Sequence, residues 1–193
     1  TDIRRPQVAA LDNTFAAGAY ARGTMKRQLH TGVNQELFGK LGFACVIRKH
    51  ELRQHVREEL FHRFKLIRHP IWVEDFAPKF LRADETNPVI VHCPSHRGTK
   101  GTEDVLRAVD RLRNQFKFSF RLISGVPRAM VIEEMGNSDI VLDQFVLGDY
   151  GNVTLEAMAL GKPVLCYLKP YVLNNEPPDL PIVNATPETL EAE

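Results

Sequence analysis

The stretch GDYGNVTLEAMALGKPVL, residues 148–165, gathers the residue types that could do chemistry. In its apolar run from Val153 to Leu160, Glu156 is the one carboxylate, with Gly148 and Gly151 ahead of it and Gly161 behind. A glycine just before a helix lets the backbone approach a ligand closely. The first amides of that helix offer free N–H groups and a positive partial charge to an anion. Gly151, Asn152, Val153 and Thr154 are therefore candidates to hold a phosphate. Glu156 follows about a turn and a half into the helix. Because Leu155, Met158 and Ala159 must pack inward, its carboxylate either points at water or reaches the hydroxyls of the same ligand from the rim of the sheet. A solvated helix glutamate beside two turn glycines is the alternative reading on periodicity alone.

A second group of charges lies in the loop PSHRGTKG, residues 94–101. Arg97 and Lys100 are cations of the kind that neutralise phosphate, the alternative being plain loop charges. GTKGT and LGKP each lack the glycine, four residues, Gly-Lys-Ser/Thr order of a nucleotide-triphosphatase loop, which removes that class. His92, Cys93 and His96 are close in sequence, but neighbouring strand residues 92 and 93 point to opposite faces and no second ligand pair follows. No Asp-x-Asp pair occurs in the chain, so the expectation is a site without metal. His50, His55, His62 and His69 are irregularly spaced and read as surface residues.

The elements that must position these residues alternate from Val89 onward. PVIVHC (88–93) is a β-branched run, and TEDVLRAVDRLRNQF (102–116) repeats Val105, Leu106, Val109, Leu112 and Phe116 at helical spacing, with Thr102 placed to cap it. FSFRLIS (118–124) reads as a strand, PRAMVIEEMG (127–136) as a short helix, DIVLDQF (139–145) as a strand and 151–160 as a helix. PVLCY (163–167) and PIVN (181–184) follow as strands, and ATPETLEAE (185–193) begins a helix. Such repetition implies a parallel sheet with helices on both faces and a ligand beyond the strands' carboxyl ends. In the first part, helical periodicity covers 7–29 and 34–41, strands are expected over 43–49 and 64–68, and Leu52, Val56 and Leu60 form one helix face. A domain boundary is expected in the polar stretch LRADETNP, 81–88.

Composition sets the class. The 193 residues are 44% hydrophobic and 25% charged, as in a globular protein, and no apolar run is long enough to cross a membrane. Cys45, Cys93 and Cys166 each sit in a short apolar run and read as reduced core residues of a cytoplasmic protein. The net charge of +1 hides an asymmetry: residues 1–69 hold 13 Lys and Arg against 6 Asp and Glu, and residues 70–193 hold 12 against 18. The basic third is either a solvated face or a surface for an anionic partner; its charges are interspersed with acids, which argues against nucleic acid.

Several blocks resemble the retaining glycosyltransferases of the GT-B type, the group 1 family of sugar transferases. The family's donor signature has a Glu, seven other residues, a second Glu followed by Ala-Met-Ala, and then Gly-x-Pro-Val. Glu156, Ala157, Met158, Ala159, Gly161, Pro163 and Val164 match its second half. HPIWVEDFAP resembles the family's interdomain linker, VIVHCPSHRGTKGTEDVLRAVDRL its first strand, phosphate-contacting loop and helix, and NSDIVLDQF the strand before the signature. The likeness spans roughly residues 43–190. It departs at the first Glu, whose place is taken by Gly148 with Asp149 the nearest acid, and at the family's loop Arg, which falls on Ser95 with Arg97 nearby.

The resemblance implies a Rossmann-like parallel sheet forming the C-terminal half of a GT-B fold. Residues 1–80 would be a partial N-terminal domain and linker, and 81–193 a nucleotide-sugar-binding domain incomplete at its C-terminus. It implies transfer, with retention, from a nucleotide-diphosphate sugar of the UDP-sugar type to an acceptor hydroxyl on a saccharide or lipid-linked saccharide. No metal or other cofactor is implied. In that scheme Lys100, Arg97 and the amides of Gly151, Asn152, Val153 and Thr154 neutralise the diphosphate, Glu156 binds the ribose hydroxyls, and Asp149 covers for the absent Glu at the sugar. The basic N-terminal third would make peripheral membrane contact. The alternative is a non-catalytic nucleotide-sugar-binding module, which the missing first Glu favours.

Overall fold

The computed structural model describes residues 24–48, 50–68, 70–80 and 86–192, in two compact units divided after Pro70. The first contains helix α1 (Thr24–Lys40), strands β1 (Cys45–Ile47) and β2 (Phe64–Leu66), paired in parallel, and two 3₁₀ turns, His50–His55 and Glu58–Leu60. Gly42, at a φ of 75°, ends α1: its amide donates to Gly39 and that of Phe43 to Phe38, each at 3.0 Å. The Phe38 and Phe43 rings then meet edge to face at 5.5 Å, the apolar contact that accompanies this kind of helix stop. The helix expected around Leu52, Val56 and Leu60 is instead broken. The Arg57 amide donates to the Gln35 Oε1 at 2.8 Å rather than to a carbonyl one turn back. The two helical stretches expected over 7–29 and 34–41 correspond to α1 where described, and residues 1–23 lie outside the described residues.

The second unit is built on strands β3 (Val89–His92), β4 (Ser119–Leu122), β5 (Ile140–Leu142), β6 (Val164–Cys166) and β7 (Val183–Asn184). They form one parallel sheet in the order β4-β3-β5-β6-β7. Helices α2 (Arg97–Lys100), α3 (Thr102–Leu112), α4 (Arg128–Gly136), α5 (Asn152–Ala159) and α6 (Pro170–Leu173) connect them. The two-residue period of the strands sorts the core. Val91, Val141 and Val164 pack against Met135 of α4 and Ala157 of α5, while Leu142 and Leu165 pack against Val105 and Val109 of α3 on the opposite face. This is the Rossmann-like parallel α/β arrangement expected from the alternating segments.

Several boundaries differ from the sequence reading. Helix α3 stops at Leu112, leaving Phe116 62% exposed. Gly101, not Thr102, is its N-cap, and the Thr102 hydroxyl is buried against His92 instead. Residues 186–192 form turns rather than a helix. The segment from Ile71 belongs with the second unit: Phe76 is buried in its core, and the Lys79 amide donates to Leu160 at 2.9 Å.

The strand order determines where a ligand can enter. The chain leaves β3, runs out to β4, and returns to the other side of β3 as β5. The loops after β3 and β5 therefore diverge and open a crevice at the carboxyl edge. The second loop contains Gly148 at a φ of 74°, and a Cβ there would lie on the Lys169 side chain. Gly148→Ala should lower the free energy of unfolding by about 1–2 kcal/mol, readable in urea titrations; an unchanged midpoint would mean that the loop adapts freely.

Candidate functional site

At this crevice the side chain of Asp143, the first residue after β5, is fully buried. Burying a carboxylate without partners costs several kcal/mol, so its surroundings must satisfy both oxygens. Lys100, at the end of α2, forms an ion pair with Oδ1 and keeps 14% of its side chain exposed. On Oδ2, the Thr154 hydroxyl donates at 2.6 Å and the Gly151 amide at 3.4 Å. Asp143 thereby fastens α2 to the start of α5. Three of the residues expected to bind phosphate, Lys100, Gly151 and Thr154, come together on a carboxylate that the sequence reading did not include.

Gly151 is the N-cap of α5, with no side chain capping the helix. The amides of Asn152, Val153 and Thr154 have no carbonyl one turn back within α5, which leaves them as donors at the crevice. Asn152 is exposed there and Val153 half-buried. Lys100 Nζ lies 3.8 Å from where a Cβ on Gly151 would stand, so a side chain at that position would crowd the ammonium group.

Glu156 lies five residues on from Gly151, about 7.5 Å by helical rise. Its side chain is only 6% exposed, and it neither points at water nor stands alone. Arg128, the first residue of α4, donates to Glu156 Oε1 through Nε at 3.0 Å and through Nη2 at 2.7 Å. The Arg128 side chain is 67% exposed. Ala157 and Thr154 are the fully buried residues of α5, while Leu155, Met158 and Ala159 are half-buried.

Gln144 shapes the connecting loop. Its Oε1 accepts from the Leu147 amide at 2.7 Å and the Val146 amide at 3.2 Å. Its Nε2 donates to the carbonyls of Tyr167, at 2.9 Å, and Asp149. Asp149 is thus fixed through its backbone, with a half-buried side chain. Arg97 lies on the surface of α2, where it pairs with Glu103 at 2.7 Å; both side chains are at least half exposed.

His92, the last residue of β3, is fully buried. Nδ1 meets the Leu142 carbonyl at 2.8 Å and Nε2 meets the Thr102 hydroxyl at 3.0 Å, so Nδ1 carries the proton of the neutral ring. Burial pushes the imidazole below its ordinary value, aided by the positive Lys100 and Arg97 and opposed by the Leu142 hydrogen bond and Asp143. Burial likewise pushes the Cys93 and Cys166 thiols up to about 12, which keeps them protonated and non-nucleophilic at neutral pH. His96 caps α2, its ring Nδ1 accepting from the Thr99 amide at 3.3 Å. Among the described residues no group of His, Cys, Asp and Glu is arranged to hold a metal ion. A mainly apolar cavity of about 570 Å³ on the α3 face of the sheet is lined by Val105, Val109, Leu142 and Leu165 among others, with Lys117 and Glu191 as its charged residues.

Two signals could have revealed the missed residues. Asp143 is a carboxylate directly following the apolar strand Ile140–Leu142, at the carboxyl edge where ligands bind. Arg128 places a cation at a helix N-terminus, against the helix dipole, which calls for a compensating anion.

No protein-family model and no curated protein matches the chain. Fold and site together define a doubly wound parallel α/β domain with polar and charged groups converging at its topological switch point.

Two outcomes test this geometry. Asp143→Asn leaves Lys100 without its counter-charge and should cost roughly 3–5 kcal/mol of stability; a loss below about 1 kcal/mol, the range of an exposed pair, would contradict a buried anchor. Because folding holds His92 neutral, the unfolded state binds more protons as the pH falls below about 6.5, so stability should decline from about pH 7 to pH 5. His92→Gln should flatten part of that slope in denaturant titrations, and identical slopes would remove His92 as its source.

Proposed function

We propose that the second unit is the donor-binding domain of a retaining glycosyltransferase of the GT-B type, holding a nucleotide-diphosphate sugar at the β3/β5 switch point. The observation that carries this reading is the meeting of Lys100 and the uncapped start of α5 on Asp143 at the sheet's carboxyl edge, with the Arg128-paired Glu156 following on the same helix. An ammonium group and a row of free amides suit a diphosphate. A carboxylate some 7.5 Å further along the helix suits ribose hydroxyls. The match of Glu156 through Val164 to the family's signature supports the same assignment.

In this mechanism the sugar–phosphate bond breaks as the acceptor oxygen bonds the same carbon from the same face, the acceptor's proton passes to an oxygen of the departing diphosphate, and negative charge accumulates there. Lys100 neutralises it together with the amides of Asn152, Val153 and Thr154, with no metal required. Asp143 holds Lys100 and Thr154 in place beforehand, so little reorganisation is needed when charge develops. Arg97 reaches the outer phosphate by leaving its exposed pairing with Glu103. The acceptor is a saccharide or lipid-linked saccharide, and the basic first unit meets an anionic membrane surface. The protein acts in the cytoplasm; no described helix is long and apolar enough to cross a membrane.

One observation favours a second reading, a nucleotide-sugar-binding module without transfer activity. The position of the family's first Glu is Gly148, whose left-handed backbone and contact with Lys169 disfavour any side chain. Transfer then depends on Asp149, and Asp149→Asn should abolish turnover without changing nucleoside diphosphate affinity if the enzyme reading holds.

Calorimetric titration with uridine, guanosine and adenosine diphosphates tests the assignment. Glu156→Gln should weaken the best-bound nucleotide about ten- to hundredfold, the worth of a charge-assisted hydrogen bond, with little change in melting temperature. An isotherm identical to that of the unmodified chain would leave Glu156 without a ligand role.

A further inference from the structure

Arg128 has no part in the scheme above, yet it makes the only described contacts to the carboxylate on which that scheme depends. We infer that Arg128 is a positioning residue that aims Glu156 and makes the site select ribonucleotides over 2′-deoxyribonucleotides; this rests on the proposed nucleotide-binding reading.

The geometry is specific. Nε and Nη2 both donate to the same oxygen, Oε1, at 3.0 and 2.7 Å, instead of one to each oxygen as in the usual fork-to-fork pair. A single oxygen therefore takes both donors, and Oε2 remains as an acceptor for a ligand. A carboxylate with one oxygen held in this way has its terminal torsion fixed. Left alone, that torsion is broad and roughly two-fold.

Burial supports the same role. Glu156 is almost wholly buried while Arg128 is mostly exposed, so the guanidinium keeps its solvation and the carboxylate gains a counter-charge where water cannot supply one. The location is also suitable. Arg128 opens α4, the helix after strand β4, whose carboxyl end lies on the same edge of the sheet beside that of β3. Placing a cation at a helix N-terminus is unfavourable by the helix dipole, and Glu156 offsets that cost across 28 residues of sequence. A ribose offers its 2′- and 3′-hydroxyls to Oε2. A deoxyribose offers one, and leaves that acceptor less well satisfied.

The test is a thermodynamic cycle on the full chain, titrating uridine, guanosine and adenosine diphosphates and their 2′-deoxy counterparts and using the pair that binds most tightly. The unmodified protein should prefer the ribonucleotide by about tenfold or more. Arg128→Ala and Glu156→Gln should each reduce that preference to below about threefold, and the double variant should lose nothing further. Arg128→Lys, which keeps charge but cannot set two planar donors on one oxygen, should fall between them and serves if Arg128→Ala does not fold. If no pair binds, the nucleotide-binding reading fails and this inference with it; if a pair binds but the unmodified chain does not discriminate, this inference fails and nucleotide binding stands. If the chain discriminates and Glu156→Gln abolishes the preference but the Arg128 variants keep it, Arg128 is not the positioning residue and the reading of the site stands. If the double variant binds much more weakly than either single one, Arg128 touches the ligand itself, which also overturns the positioning role.

Discussion

A carboxylate with no exposed surface imposes the tightest constraint on this domain. Asp143 sits where β5 ends, and at that depth each of its lone pairs needs a partner. Lys100, Thr154 and the Gly151 amide supply them from two elements separated in sequence. The loop after β3 and the start of α5 thus cannot drift apart without exposing an unpaired buried charge. A hydrophobic residue at 143 would pack more cheaply; what the ion pair adds is a fixed direction for Lys100 and for the helix start, which a ligand-binding site requires.

A second carboxylate shows the same logic in weaker form. Glu156 is buried on α5, but its counter-ion Arg128 stands in solvent, so the pair bridges the interior and the crevice rim. Between the two carboxylates, α5 presents its free amides. Gln144 fixes the loop leading into them by four hydrogen bonds to backbone groups. The polar framework is therefore continuous from the end of β5 to the middle of α5. It is backed on either face of the sheet by the valines of β3, β5 and β6 and the leucines of β5 and β6.

What the sequence revealed and what it hid have physical causes. Strands β3 to β6 are legible because they are short apolar runs between turn residues. Helix α3 is legible because Val105 and Val109 recur on one face, though its end is not: Phe116 continues the period but lies beyond Leu112, where the helix has stopped. The strand expected over 139–145 is shorter because its pairing with β3 ends at Leu142, although the backbone of Asp143 and Gln144 still bonds to Leu165 and Tyr167 on the β6 side. Around Leu52–Leu60 a four-residue period suggested one helix, and a long-range hydrogen bond from Arg57 to Gln35 decided otherwise. Lys100, Gly151 and Glu156 could be picked out by residue type and spacing. Asp143 and Arg128 carry only positional signals, a strand end and a helix start, because their roles come from contacts 8 to 43 residues distant that local periodicity does not encode.

The most direct measurement of the central claim is the backbone amide NMR spectrum of the chain during titration with a nucleoside diphosphate. If the diphosphate sits at the switch point, the amides of Gly151, Asn152, Val153 and Thr154 should shift most, together with those around Lys100, and Glu156→Gln should raise the concentration needed. Shifts confined to the apolar cavity lined by Val105, Val109 and Leu165, or no shifts at the start of α5, would contradict the account.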